Sequence, residues 1–356
     1  MNSTNPQNKR RTELDILRTL AMIAVIVIHL CATTLKTIKV DSNLWLFLNC
    51  VHSSITWCVP VFVLISGYLF LKPEKAISIR VIYGKYIKHI AICFIFWSAV
   101  FQVFYYLFAD SGLNWKGIMS EFLIGPYHFW YLFMLAGLYM IVPFLRKFTD
   151  DKRLLQYFIV LFIAFSFFTN YATAIPVVGN IIDTILGKAL FHFALGFTGY
   201  YILGYYISQY GVSLKWEIII YVFGAVGVLV SCVGTTVQSR VQGEYNEWFS
   251  KYLMPNVIFE SMAIYTLFAK RISKIQFSSK TVKLFAKLTQ LGFGVYLTHA
   301  LIIDILNLMH INICTYSTFL MIPLLTVVVY ALSLIVTFLI RKIPVSYTHL
   351  TLPTIR

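Results

Sequence analysis

The chain has 356 residues, of which 59% are apolar and 12% charged, and its mean hydropathy is +0.77. A soluble domain carries about twice that share of charge, so a pair of soluble domains is excluded in favour of a polytopic membrane protein. The net charge of +15 does not point to a nucleic-acid partner. The basic residues gather in alternate loops, as membrane topology requires, and form no stripe interleaved with exposed aromatics.

The expected fold is all-α, a transmembrane bundle of about ten spans, each an apolar run long enough to cross hydrocarbon. Their limits are 14–35, 44–71, 83–108, 128–145, 154–170, 187–208, 216–236, 252–270, 289–309 and 316–340. Residues 1–11 form a polar, basic tail, and the apolar run behind it has no small-residue cleavage site, so it reads as an uncleaved first span. Lys9, Arg10 and Arg11 lie before span one. The loop after span two carries Lys72, Lys75, Arg80, Lys85 and Lys88, and the 146–153 loop carries Arg146, Lys147, Lys152 and Arg153. The 270–287 loop adds Lys270, Arg271, Lys274, Lys280, Lys283 and Lys287. The intervening loops are poor in Lys and Arg, which predicts that both termini are cytoplasmic. Residues 345–356 break abruptly from the last span and read as a non-native tail.

The first span carries the residues most informative about function. Ten residues separate Arg18 from His29, and eleven helical steps return within about 20° of the same direction and rise about 16 Å. Both side chains therefore share a face, with the arginine at the cytoplasmic edge and the histidine past the middle. Ionisable groups at such depth are costly and mark function. The competing account has Arg18 snorkelling to headgroups and His29 satisfied within the bundle. Asp15, three residues before Arg18, can pair with it.

Span two ends in Val59-Pro-Val-Phe-Val-Leu-Ile-Ser-Gly-Tyr-Leu-Phe70. Ser66-Gly67 allows close helix approach, and Pro60 loosens the helix; packing and a path-lining role are equally compatible with this. The cations of the following loop suit phosphate groups, although topology alone also explains them. Span four opens with Gly125-Pro-Tyr-His-Phe-Trp-Tyr131. His128, Trp130 and Tyr131 there suit an aromatic belt or stacking on a sugar ring. His52 and His192 lie in outer halves of spans. Glu260, an intramembrane carboxylate in span eight, is the expected partner of His29, while His299 and Asp304 in span nine are weaker candidates. Cys31, Cys50, Cys58, Cys93, Cys232 and Cys314 show no CxxC or zinc-type spacing, so neither a disulfide nor a metal is expected of them.

Four segments together resemble the acyltransferase-3 family of bacterial membrane proteins: Leu14 to His29, Val59 to Phe70, His128-Phe-Trp-Tyr-Leu132, and Gly294-Val-Tyr-Leu-Thr-His299. The resemblance covers 12–343 as one transmembrane domain. It implies a protein of the bacterial cytoplasmic (inner) membrane that moves an acyl group, acetyl in the expected case, from cytoplasmic acyl-CoA to a hydroxyl of a surface glycan or its lipid-linked precursor. It implies catalysis by His29, an important role for Arg18, and donor contacts from Arg80 and Lys85. The absence of an added hydrolase-like domain favours the membrane-only O-acetyltransferase type. No metal is expected.

The residues support the same chemistry without the family. Arg18 offers a phosphate-compatible guanidinium. His29, about 16 Å deeper, marks the far end of a CoA arm and acts as general base or as acyl acceptor, with Glu260 as third member of a relay. The alternative is a secondary transporter or glycan flippase, although no inverted repeat or pair of broken helices favours it.

Overall fold

The computed structural model describes residues 10–73, 77–108, 115–171 and 196–342. Within them every regular element is a helix, as the apolar runs predict. We number these α1 (Thr12–Leu35), α2 (Asn43–Ser53), α3 (Cys58–Leu71), α4 (Lys88–Phe108), α5 (Trp115–Ile124), α6 (Trp130–Leu145), α7 (Lys152–Asn170), α8 (Phe197–Tyr210), α9 (Leu214–Gln242), α10 (Pro255–Thr266), α11 (Ser279–Leu308) and α12 (Thr318–Arg341). Short tight or wide turns lead into α4, α6 and out of α10.

Eight helical stretches among the described residues are long and apolar enough to cross a membrane, against about ten expected from hydrophobicity. The difference lies in two places. Span 187–208 begins outside the described residues, and its described part, α8, has 14 residues. Span 252–270 becomes the 12-residue α10, extended by the wide turn Leu267–Arg271. Pro255 at its first turn removes a backbone donor where none is needed, so the helix starts late. The irregular chain before it is tolerated because neighbouring protein covers it: Ser250 and Met254 are buried. The expected tails 1–9 and 345–356, His192 and the 171–186 loop beyond Tyr171 also fall outside the described residues.

The central helix is α1, packed by α3, α11, α2 and α12. Leu17, Ala21, Ile26 and Cys31 are fully buried along it, which leaves Arg18 and His29 to a different, half-buried face. The basic loops meet at the end where α1 begins. Arg11 donates to the Ala269 carbonyl at 3.2 Å and Arg10 to that of Ala286 at 3.4 Å. Arg146 donates to the Phe70 and Pro73 carbonyls, and the Arg11 and Lys72 cations lie over the Tyr68 ring. Glu217, fully buried, holds Lys270 at 2.6 Å and Arg271 at 2.5 Å. We call this the basic end and its opposite the far end.

The crossing of α3 and α8 depends on two glycines. A Cβ on Gly67 would stand 1.9 Å from the Tyr201 carbonyl oxygen, and one on Gly204 would stand 2.0 Å from that of Leu64. The two backbones approach as small residues allow in membranes, which is the packing role expected of Ser66-Gly67. Gly67→Ala is therefore expected to force the helices apart and to cost about 1–3 kcal/mol. Thermal unfolding in detergent measures it; an unchanged midpoint would refute this view of the crossing.

Candidate active site

Helix α1 runs without a break from Thr12 to Leu35, so Arg18 and His29 share a face about 16 Å apart along the axis. Asp15 holds Arg10 at 2.5 Å and Arg18 only at 3.8 Å. The Arg18 side chain keeps 27% of its surface accessible and lies within electrostatic reach of Tyr131 and Tyr139 on α6. Arg80 and Lys85 sit in the turns ahead of α4, exposed at the same end as Arg18. Lys85 lies 5.7 Å from the centre of the Tyr86 ring, which packs on Phe70 and Tyr139.

At the far third of the bundle three histidines converge. The His29 ring lies 5.2 Å from His299 and 5.1 Å from Tyr127, centre to centre. His128 lies 5.2 Å from His299 and 5.5 Å from Tyr296. His299 is fully buried on α11, and its Nδ1 faces the carbonyls of Tyr296 at 2.7 Å and Val295 at 3.2 Å. Carbonyls only accept, so Nδ1 carries the proton and Nε2 keeps a lone pair. Among the described residues that Nε2 is buried without a hydrogen-bond partner, as are both ring nitrogens of His128. Aromatic contacts join this cluster to Arg18: Tyr131 packs 5.5 Å from Tyr296, and Tyr296 packs 6.1 Å from His299.

From the far end a cavity of about 300 Å³ reaches His29. Thr33, Thr34, Thr37, Asn307 and Asn312 line it beside the imidazole. Leu30, Ile38, Ile303, Ile313 and Cys314 complete a wall that is apolar over most of its area, with the threonine and asparagine groups, which can pair with hydroxyls, set into it.

Several sequence candidates land differently from expectation. Glu260 was the expected partner of His29, but its oxygens accept from Ser231 at 2.5 Å and Thr56 at 2.9 Å. Asn256 donates to the same Ser231 at 2.7 Å. Glu260 thus joins α9 and α10 to the turn between α2 and α3, and the described contacts of the His29 ring are with His299 and Tyr127. Of His128, Trp130 and Tyr131, only Trp130 leaves the group. His128 and Tyr131, three residues apart, lie on one side of the helix start and both pack on Tyr296, His128 within the histidine cluster and Tyr131 towards Arg18. Trp130 points elsewhere, stacked on Tyr252 at 5.5 Å and against Phe197.

His299, a weaker candidate by sequence, stands at the centre of the cluster, between His29 and His128. A buried intramembrane histidine needs a partner, and three of them in one chain were the available signal. Asp304 accepts from Tyr105 at 3.0 Å and lies within electrostatic reach of Tyr127. His52 is buried on α2 beside Tyr245. Among the described residues no three His, Cys, Asp or Glu side chains are arranged to hold a metal ion.

Among the described residues, eight helices able to cross a membrane, packed around a histidine cluster that a cavity reaches from the far end, define a multi-pass helical membrane protein. Residues 11–342 match the acyltransferase domain of the acyltransferase-3 family, nearly the whole chain. The protein belongs to that family, which makes it a membrane acyltransferase. No curated protein and no solved structure matches it.

Proposed function

We propose that the protein transfers an acyl group, acetyl in the first instance, from cytoplasmic acyl-CoA to a hydroxyl of a surface glycan or its lipid-linked precursor. The observation that carries this reading is the position of His29. It stands at the inner end of a cavity that opens at the far end, about 16 Å along the same helix from an arginine at the basic end, with the packed rings of Tyr131 and Tyr296 between them. A donor and an acceptor that never share a compartment need such a meeting point.

In this reading the basic end faces the bacterial cytoplasm, as the positive-inside rule favours. Arg80 and Lys85 are available to the donor's phosphates by charge-assisted hydrogen bonds, and Arg18 draws the pantetheine arm inward. His29 then either removes the proton of the acceptor hydroxyl or takes the acyl group itself before passing it on. In both routes the thioester C–S bond breaks, an ester C–O bond forms, and the hydroxyl proton ends on the CoA sulfur. Asn307 and Asn312 offer donors and acceptors for sugar hydroxyls, and Glu260 supports the site through Thr56 and Ser231 rather than by touching His29.

The test uses the full chain in lipid vesicles with labelled acetyl-CoA and a polyprenyl-linked sugar acceptor. Acceptor-dependent CoA release with label on the sugar is expected. Movement of the sugar across the bilayer without CoA release would replace the enzyme by the transporter. Arg18→Ala is expected to raise the KM for acetyl-CoA about tenfold to a hundredfold, the worth of a charged hydrogen bond, with a smaller effect on kcat. An unchanged KM would remove Arg18 from the donor path.

A further inference from the structure

The seam between α2 and α9 is pinned at three successive levels. Asp41, just ahead of α2, lies 3.5 Å from Arg240 near the far end of α9. One level deeper, Asn49 donates to the Thr236 hydroxyl at 2.9 Å and to the Cys232 carbonyl at 3.0 Å. Beside it, the Cys50 and Cys232 sulfurs stand 2.7 Å apart. A disulfide bond measures about 2.05 Å, so the two thiols need only a small side-chain adjustment to bond. Asn49 fixes the register of the two helices at this point, which is what a cross-link requires. Cys50 and Cys232 lie at the outer surface of the helix bundle, whereas Cys31, Cys58 and Cys93 are in its interior.

We propose that Cys50 and Cys232 form a reversible disulfide that staples α2 to α9. The reaction is thiol–disulfide exchange: each thiol loses its proton, one S–S bond forms, and the two electrons reduce the disulfide of an incoming oxidoreductase to two thiols. The staple bears on the interior as well. Cys232 directly follows Ser231, one of the two hydroxyls that hold Glu260. The spacings in the sequence gave no hint of this pair, because 182 positions separate its members. The inference does not depend on the acyltransfer reading.

The full chain in lipid nanodiscs is exposed to diamide, a dithiol oxidant, then alkylated and digested. A cross-linked peptide pair containing Cys50 and Cys232 is expected, together with the loss of two alkyl adducts, reversed by dithiothreitol. Cys50→Ser should restore full alkylation of Cys232, and Cys232→Ser that of Cys50, while Cys314→Ser changes nothing. Full alkylation of both residues after oxidation, or a cross-link from either one to Cys314, would overturn the proposal. Mapping of the unmodified chain decides the matter even where a serine variant fails to accumulate.

Discussion

His29→Ala is expected to abolish acyl transfer while leaving an inserted, folded protein. Among the described residues no hydrogen bond holds the His29 ring; it borders a cavity and touches the rings of Tyr127 and His299. Its removal thus costs the bundle little packing. Loss of a general acid–base group alone lowers turnover about a hundredfold to ten-thousandfold, and loss of a covalent acceptor removes the pathway itself. The readout is CoA release in vesicles beside thermal unfolding of the same preparation. Wild-type turnover in His29→Ala would end the catalytic assignment. Equal losses of turnover and stability would reduce His29 to a packing residue. A single turnover with labelled acetyl-CoA and no acceptor separates the two chemical routes, since only a nucleophilic His29 leaves acid-labile label on the protein.

The parts of the fold and site legible in advance were those governed by one helix or one loop. The shared face of Arg18 and His29 needs only the regularity of α1, and α1 is unbroken. The close approach at Gly67 followed from residue size. Charge placement along the chain grouped the basic loops on one side, and in the structure Arg10 and Arg11 reach the Ala286 and Ala269 carbonyls and Arg146 that of Phe70. Span number was harder, because hydrophobicity does not distinguish a helix that crosses from one such as α10 that is short and wrapped by protein.

Partners between distant helices were not legible at all. Glu260 looked like the natural counter-ion for His29 since both are ionisable and intramembrane, yet two hydroxyls satisfy it. His299 looked secondary because nothing in its own segment shows that α11 delivers it to within 5.2 Å of His29. Of His128, Trp130 and Tyr131, the first and last share Tyr296 as a neighbour while Trp130 packs on Tyr252 and Phe197, because residues three apart lie on one side of a helix and the residue between them does not.

That delivery of His299 leads to the second large effect. With Nδ1–H tied to the Tyr296 and Val295 carbonyls, His299 presents only a lone pair at Nε2 to its neighbours. That Nε2 has no partner among the described residues, so a turn of the neighbouring His29 ring that brings its N–H to the lone pair would fix the His29 tautomer and leave its other nitrogen basic, the role an orienting group plays behind a catalytic histidine. His299 is therefore expected to act through His29 as a positioning residue. His299→Ala should lower kcat about a hundredfold or more with little change in the KM for acetyl-CoA, because the donor path through Arg18 is untouched. His299→Gln, whose amide oxygen can stand in for Nε2 as an acceptor, should recover part of that loss. A packing role predicts something else: both variants would unfold at lower temperature and lose activity in proportion to folded protein. Partial rescue by glutamine at equal folded content separates the two, and its absence at equal stability would sever His299 from His29.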